Sequence, residues 1–317
     1  MEQFSHLITV PIFGERRYTN QSLAVVLIVM LFSVLSGWGQ SFFEGDYVIS
    51  TNHIEDQQYG LFEFCIGESN CKSIKTAFFA DQPYKKLKEL QSQKKVLLAT
   101  SASFASAVMV DGKPIGFCAD NGQILNKMPN QVMDGIVVVN SHNESMDKMI
   151  VYDLDMPRIN CDENCCGYAY MHYNPREEPY DVFKFFSWID ENKLSAFQTQ
   201  LVYSRHNSDP SRFEQPYHGK NDRSRRFLGV VKKNENLRHI IIDIPKNDYL
   251  MHAAGEALDL LSERGYEVEY LLNLDTGSKD ILHAFNGENL VNLRPGAMIK
   301  AGTIERANNL LVYYLED

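Results

Sequence analysis

Asp243 lies near the end of the apolar run Leu237 to Ile244, and Asp275 follows the run Val268 to Leu274. If both runs are parallel strands, both acids sit at carboxyl ends, where ligands gather in such units. Direct neighbours would bring their backbones to about 4.8 Å. Carboxylates that close raise each other's proton affinity, so one can serve as acid and the other as base. The structural alternative makes one acid a helix or turn cap and the other solvent-facing, and it suits Asp243 better than Asp275. Asp275 leads into Thr276-Gly277-Ser278, a small turn whose backbone N–H groups could face an anion.

A second group is Arg223-Ser224-Arg225-Arg226, ahead of the apolar run Phe227 to Val231. Arginines in a cluster can hold a phosphate or carboxylate through bidentate contacts. The plainer reading is a solvated loop paired with surface acids. The nine histidines are scattered without metal-ligand spacing, and His206, His218 and His283 read as surface or packing residues. No metal and no cofactor are expected. A Gly-x-Ser-x-Gly elbow, a phosphate-binding glycine loop and a dinucleotide fingerprint are all absent, which removes several large enzyme classes.

These side chains need elements to hold them. Residues 46–66 alternate as strands do, and Pro83 to Gln93 reads as a short surface helix. Val96 to Thr100 reads as a buried strand. Asp111-Gly112 and Asn121-Gly122 are hairpin signals, with a strand from Lys113 to Ala119 between them. Gln131 to Val139 adds another strand, and residues 140–180 and 204–224 read as polar excursions. Leu237 to Ile244 is a buried strand, followed by a turn in which Asn247 or Asp248 could cap a helix. From Tyr249 to Arg264 the apolar residues Leu250, Ala253, Ala257, Leu260 and Leu261 share one helical face. Gly265 is placed to end that helix. Val268 to Leu274 completes a β-α-β unit of parallel strands, and Asn309 to Leu315 closes the chain. The fold class is α+β: one globular domain whose mixed sheet combines an antiparallel meander with a single C-terminal β-α-β unit.

The N-terminus carries a different pattern. Arg16 and Arg17 precede Leu23 to Leu35, apolar except for Ser33, and Ser36-Gly37-Trp38-Gly39-Gln40 follows. A basic start, an apolar run and a small-residue exit make a secretory signal. The alternative is an uncleaved membrane anchor, although a spanning helix needs roughly 20 apolar residues. Residues 1–40 are therefore the targeting segment, and the domain beyond it is expected in a secreted or periplasmic setting. A formal net charge of -10 argues against nucleic acid as a partner. Six cysteines in an exported chain suggest disulfides, with a zinc cluster at Cys161, Cys165 and Cys166 as the weaker reading.

Several segments together resemble the phosphodiester glycosidase domain family. Asn273-Leu274-Asp275-Thr276-Gly277-Ser278 is similar to its Asn-Leu-Asp-Gly-Gly-Gly-Ser motif. Arg225-Arg226-Phe227-Leu228-Gly229-Val230 resembles its Pro-Arg-Thr-Ala-Ile-Gly segment. Ala99 to Phe104, then Pro114-Ile115-Gly116 and Asn121-Gly122, resemble its Asn-(Ala/Gly)-Gly-(Met/Phe)-Phe segment and the turn beyond it. Arg306-Ala307-Asn308-Asn309-Leu310 is similar to its closing motif. The resemblance runs in order from about Val96 to Val312, so 41–95 is set apart as N-terminal strands and surface helix, and 96–317 as the family-like domain. Ser101 stands where the family has asparagine, Thr276 and Ser278 stand for glycines, and Lys279 stands for a serine. Lost glycines narrow the approach of backbone to phosphate.

The resemblance implies an exported hydrolase that cleaves a sugar-1-phosphodiester in envelope or extracellular glycans. Asp275, with Asp243, would act on the glycosidic bond. Arg225 or Arg226 would hold the phosphate, with Ser101, Asn273, Thr276, Gly277, Ser278 and Lys279 completing the substrate site. The altered motif positions keep open a catalytically inactive glycan- or phosphoglycan-binding protein, and beyond that a structural envelope protein without a ligand. The partner in the first two cases is a glycan or sugar phosphate.

Overall fold

The computed structural model describes residues 47–54, 57–66, 74–106, 112–142, 149–155, 176, 179–206, 223–277, 280–286, 289–291 and 304–316. Every described residue belongs to one compact unit within Gln40–Asp317. The targeting segment, Cys71, Cys161, Cys165, Cys166, Ser278 and Lys279 lie outside the described residues. No described helix is long and apolar enough to cross a membrane.

The described elements in chain order are β1 (Tyr47–Ile54), β2 (Gln57–Cys65), β3 (Ile74–Phe79), α1 (Pro83–Gln91), β4 (Lys95–Thr100), β5 (Cys118–Asp120), β6 (Gln123–Asn126), β7 (Gly135–Val139) and β8 (Met149–Asp153). They continue with α2 (Pro179–Glu191), β9 (Ser195–Ser204), β10 (Arg223–Lys233), β11 (Asn236–Asp248), α3 (Leu250–Glu263), β12 (Glu267–Leu274), β13 (Leu282–Asn286), β14 (Asn289–Val291) and β15 (Leu310–Leu315). A large sheet runs β1-β2-β11-β10-β12-β9-β5-β6, with β7 also on β9 and β8 on β7. A smaller sheet runs β14-β13-β4-β15-β3. The fold is mixed α and β with antiparallel sheets, in one globular domain.

Alternation along the strands builds the layers. Successive strand residues face opposite sides, so Ile241 of β11 joins a core between the sheets with Leu228, Leu272, Leu98 and Leu311. Its neighbours Ile240 and Ile242 turn the other way, onto Ala253, Ala257 and Leu261 of α3. α2 covers β7 and β9 through Phe185, Trp188 and Ile189. α1 covers the outer face of the small sheet, where Leu87 meets Val96, Leu310 and Val312. Each fully buried Leu or Ile contributes about 1.5–3 kcal/mol by leaving water, so these apolar faces hold the two sheets and their helices together.

Several expectations are corrected. β11 runs on to Asp248, where the sequence suggested a turn at residues 245–248. The N-cap of α3 is Tyr249, without a side-chain cap, in place of Asn247 or Asp248. Gly265 does end the helix, with φ +74. The strand expected from Lys113 is short, because Pro114 offers only an isolated bridge to Ala105 and Phe117 donates its N–H to Gln198 Oε1 at 3.1 Å instead of to a strand.

The strands on either side of α3 are not neighbours. β11 and β12 each pair antiparallel with β10, so they run the same way with β10 between them. The cause is local. Asn234 and Glu235 have φ of 51 and 65, the left-handed pair that closes a two-residue hairpin, so β10 must lie beside β11. α3 then carries the chain across β10 to its free side. Every cysteine was expected to pair, but Cys118 of β5 is free, and its burial in the inter-sheet core raises the pKa of its thiol.

Candidate functional site

Arg225 and Arg226 are consecutive on β10, so they point to opposite faces of the large sheet. Arg226 faces the small sheet and is 2% exposed. Asp243 stands directly across on β11. The Arg226 Nε donates to Asp243 Oδ1 at 3.1 Å and its Nη2 lies 2.9 Å from the same oxygen. Nη2 also donates to Asp280 Oδ1 at 2.7 Å, and Nη1 to the Ile281 carbonyl at 2.9 Å. Burial pulls the guanidinium's pKa down, and the nearby charges of Asp280 and Asp275 pull it back up. Such a buried charge persists only where it is paired and hydrogen-bonded.

Ser101 reaches the same point from the small sheet. Its N–H donates to the Ile281 carbonyl at 3.0 Å, and its Oγ accepts the Ile281 N–H at 3.2 Å. The Asp275 N–H donates to the Ala102 carbonyl at 3.1 Å. Asp275, Asp243, Ser101 and Arg226 therefore meet where β4, β10 and β12 end together. Asp275 is half-buried. Its Oδ1 accepts the Gly277 N–H at 2.7 Å, and a side chain at Gly277 would bring its Cβ within 2.8 Å of that oxygen. Thr276 Oγ1 donates to the Ser224 carbonyl at 2.7 Å.

The other face of the sheet carries a separate set. Arg225 is buried, and its Nε donates to the Asp248 carbonyl at 3.1 Å. Asn273 Nδ2 donates to Gln200 Oε1 at 2.7 Å, while the buried Asn273 Oδ1 meets no hydrogen-bond partner among the described residues. The adjacent arginines thus do not share one anion, which corrects the cluster imagined from their spacing. The Gly277 N–H, offered by the sequence as an anion donor, serves Asp275 instead.

Sequence reasoning passed over Asp280 and Gln200, and read Asp248 only as a possible helix cap. Asp280 carried no signal, because it follows a turn of small polar residues without periodicity. Asp248 could have been found, since Asp248, His252 and Glu256 recur every four residues. Their ligand atoms lie within 4.8 Å of one another, so among the described residues this group could hold a metal ion. His252 Nδ1 is 2.5 Å from Asp248 Oδ2 and 3.7 Å from Glu256 Oε1.

No family model matches the chain. No curated protein matches it either. Among solved structures, the chain is similar to the zebrafish N-acetylglucosamine-1-phosphodiester alpha-N-acetylglucosaminidase catalytic domain, auto-inhibited by its pro-peptide. The TM-score is 0.47 at 10% identity, covering 86% of this chain and 83% of that one. That likeness is one of fold alone.

Proposed function

We propose that this chain is an exported hydrolase of the phosphodiester glycosidase type, cleaving a sugar-1-phosphodiester in envelope or extracellular glycans. The observation that carries the reading is the convergence of Asp275, Asp243, Ser101 and Arg226 at one junction. Asp275 is the accessible carboxylate among them. It stabilises positive charge at the sugar carbon or exchanges a proton with the bridging oxygen. Asp243 is buried against Arg226, so its part is to hold that arginine rather than to touch substrate. Arg226 has its nitrogens on Asp243, Asp280 and Ile281, and its charge acts on Asp275 from within the protein. Arg225 and Asn273 lie on the opposite face of the sheet and take no part in this site. Lys279 and Ser278 complete the site by the family resemblance.

Incubating the full chain with a panel of sugar-1-phosphodiesters tests the reading. Sugar release is expected from the wild type and is abolished by Asp275→Asn. Equal background rates for both proteins across the panel would end the proposal.

A second reading is a phosphoglycan-binding protein without turnover. It is favoured by the Gly277 N–H and the Arg226 nitrogens, which are engaged within the protein. Calorimetry would then give heat with a phosphorylated glycan, with no sugar released. Absence of heat with every phosphorylated glycan counts against it.

A further inference from the structure

Asn309 stands at the entrance to β15, where strand pairing with β4 has just run out. Leu311 is the partner of Thr100, so continuing that register sets Asn309 opposite Ala102. The side chain takes over where the backbone ladder stops. Its Oδ1 accepts the N–H groups of Ala102 at 3.0 Å and Ser103 at 2.9 Å. Its Nδ2 donates to the Ser103 carbonyl at 2.8 Å. All three residues are buried, with Asn309 2% exposed.

The peptide unit between Ala102 and Ser103 is the link to the candidate site. A trans peptide is a rigid plane, with its carbonyl and its N–H on opposite edges. The N–H edge of this plane, at Ser103, is held by Asn309. The carbonyl edge, at Ala102, accepts the N–H of Asp275 at 3.1 Å. Turning one edge turns the other. We infer that Asn309 is a positioning residue for Asp275, acting through the 102–103 peptide plane. Calling Asp275 the reacting carboxylate rests on the function proposed above; the link itself does not.

The test needs no turnover. Amide hydrogen exchange is followed by NMR in the full chain, comparing the wild type with Asn309→Ala and Asn309→Asp. In Asn309→Ala the Asp275 amide is expected to exchange about tenfold faster or more, while Leu272 and Ile241 keep their wild-type rates. Asn309→Asp keeps an acceptor for the Ser103 N–H but loses the Nδ2 donor and sets a carboxylate oxygen against the Ser103 carbonyl, so its Asp275 amide is also expected to exchange faster than wild type. An unchanged Asp275 rate in Asn309→Ala overturns the inference. So does an acceleration shared equally by Leu272 and Ile241, which would mark a purely structural role.

Should Asn309→Ala not fold, the wild type decides. The Ser103 and Asp275 amides must open together, with the same dependence on low urea, and different dependences overturn the link. If diester cleavage is found, the variant lowers kcat at constant KM. If no diester is cleaved, the exchange result still stands or falls alone.

Discussion

Arg226 shows how much rests on one buried pair. Its guanidinium and the Asp243 carboxylate are each 2% exposed at the side chain. Removing Arg226 takes away the cation that the buried Asp243 carboxylate faces, which costs about 3–5 kcal/mol. Arg226→Ala is expected to lower the urea-unfolding free energy by that amount. Asp243→Asn is expected to be milder, because the amide still accepts from Nε. Equal unfolding curves for Arg226→Ala and wild type would show the pair to be dispensable. His239 acts in the opposite sense. It is buried, and burial pushes its pKa down to about 3 from an ordinary value near 6.5. Between these values the unfolded chain binds the proton and the folded chain does not. Stability from this residue is therefore complete above about pH 6.5 and falls as the pH drops toward 3, by at most about 1.4 kcal/mol per pH unit. Urea midpoints measured from about pH 4 to 7 should fall less steeply with acid in His239→Gln than in wild type.

At the scale of elements, α1 depends on a residue from the other sheet. Asp120 Oδ2 of β5 accepts the N–H groups of Ala80 at 2.6 Å and Asp81 at 2.9 Å, just before the helix, and lies 3.0 Å from Lys86 Nζ within it. The helix has no side-chain cap of its own. Asp120→Ala leaves two N–H groups and an ammonium without this acceptor, a loss of about 1–3 kcal/mol. The expected result is a lower unfolding midpoint together with faster amide exchange in residues 80–91, and wild-type exchange there would refute the anchor. At the far end of α3, Gly265 holds φ +74, and a Cβ placed on it would meet nothing within 4 Å. Gly265→Ala therefore meets only backbone strain, about 1–2 kcal/mol, with no steric clash; a midpoint equal to wild type would mean the helix end relaxes.

For the whole molecule, the inter-sheet core is what closes the site. Leu228, Ile241 and Leu272 from the large sheet pack with Leu98 and Leu311 from the small one. That packing brings Ser101 and Asn309, at the end of the small sheet, against Asp275 at the end of the large one. Cys118 lies in the same core. Iodoacetamide should leave Cys118 unmodified in the folded chain and alkylate it in urea, as read by peptide mass, because a buried neutral thiol is a poor nucleophile. Alkylation without urea would mean that the sheets separate readily.

The sequence was most legible where local physics decides. The apolar face of α3, its Gly265 stop and the Asn121-Gly122 turn, with φ of 50 and 84, all follow from neighbours in the chain. Asp275 could also be singled out, because a small turn after an apolar run is a local pattern. What the tertiary structure alone decided is which face each charge meets. Two adjacent arginines had to separate, since a strand alternates its side chains, but only the packing of the second sheet determined that Arg226 would be the buried one. The hairpin turn at Asn234-Glu235 put β10 between the two strands that α3 connects, and no periodicity records such a neighbour. Asp280 and Asn309 entered the site through contacts across the sheet junction, at sequence separations where composition and spacing carry no information.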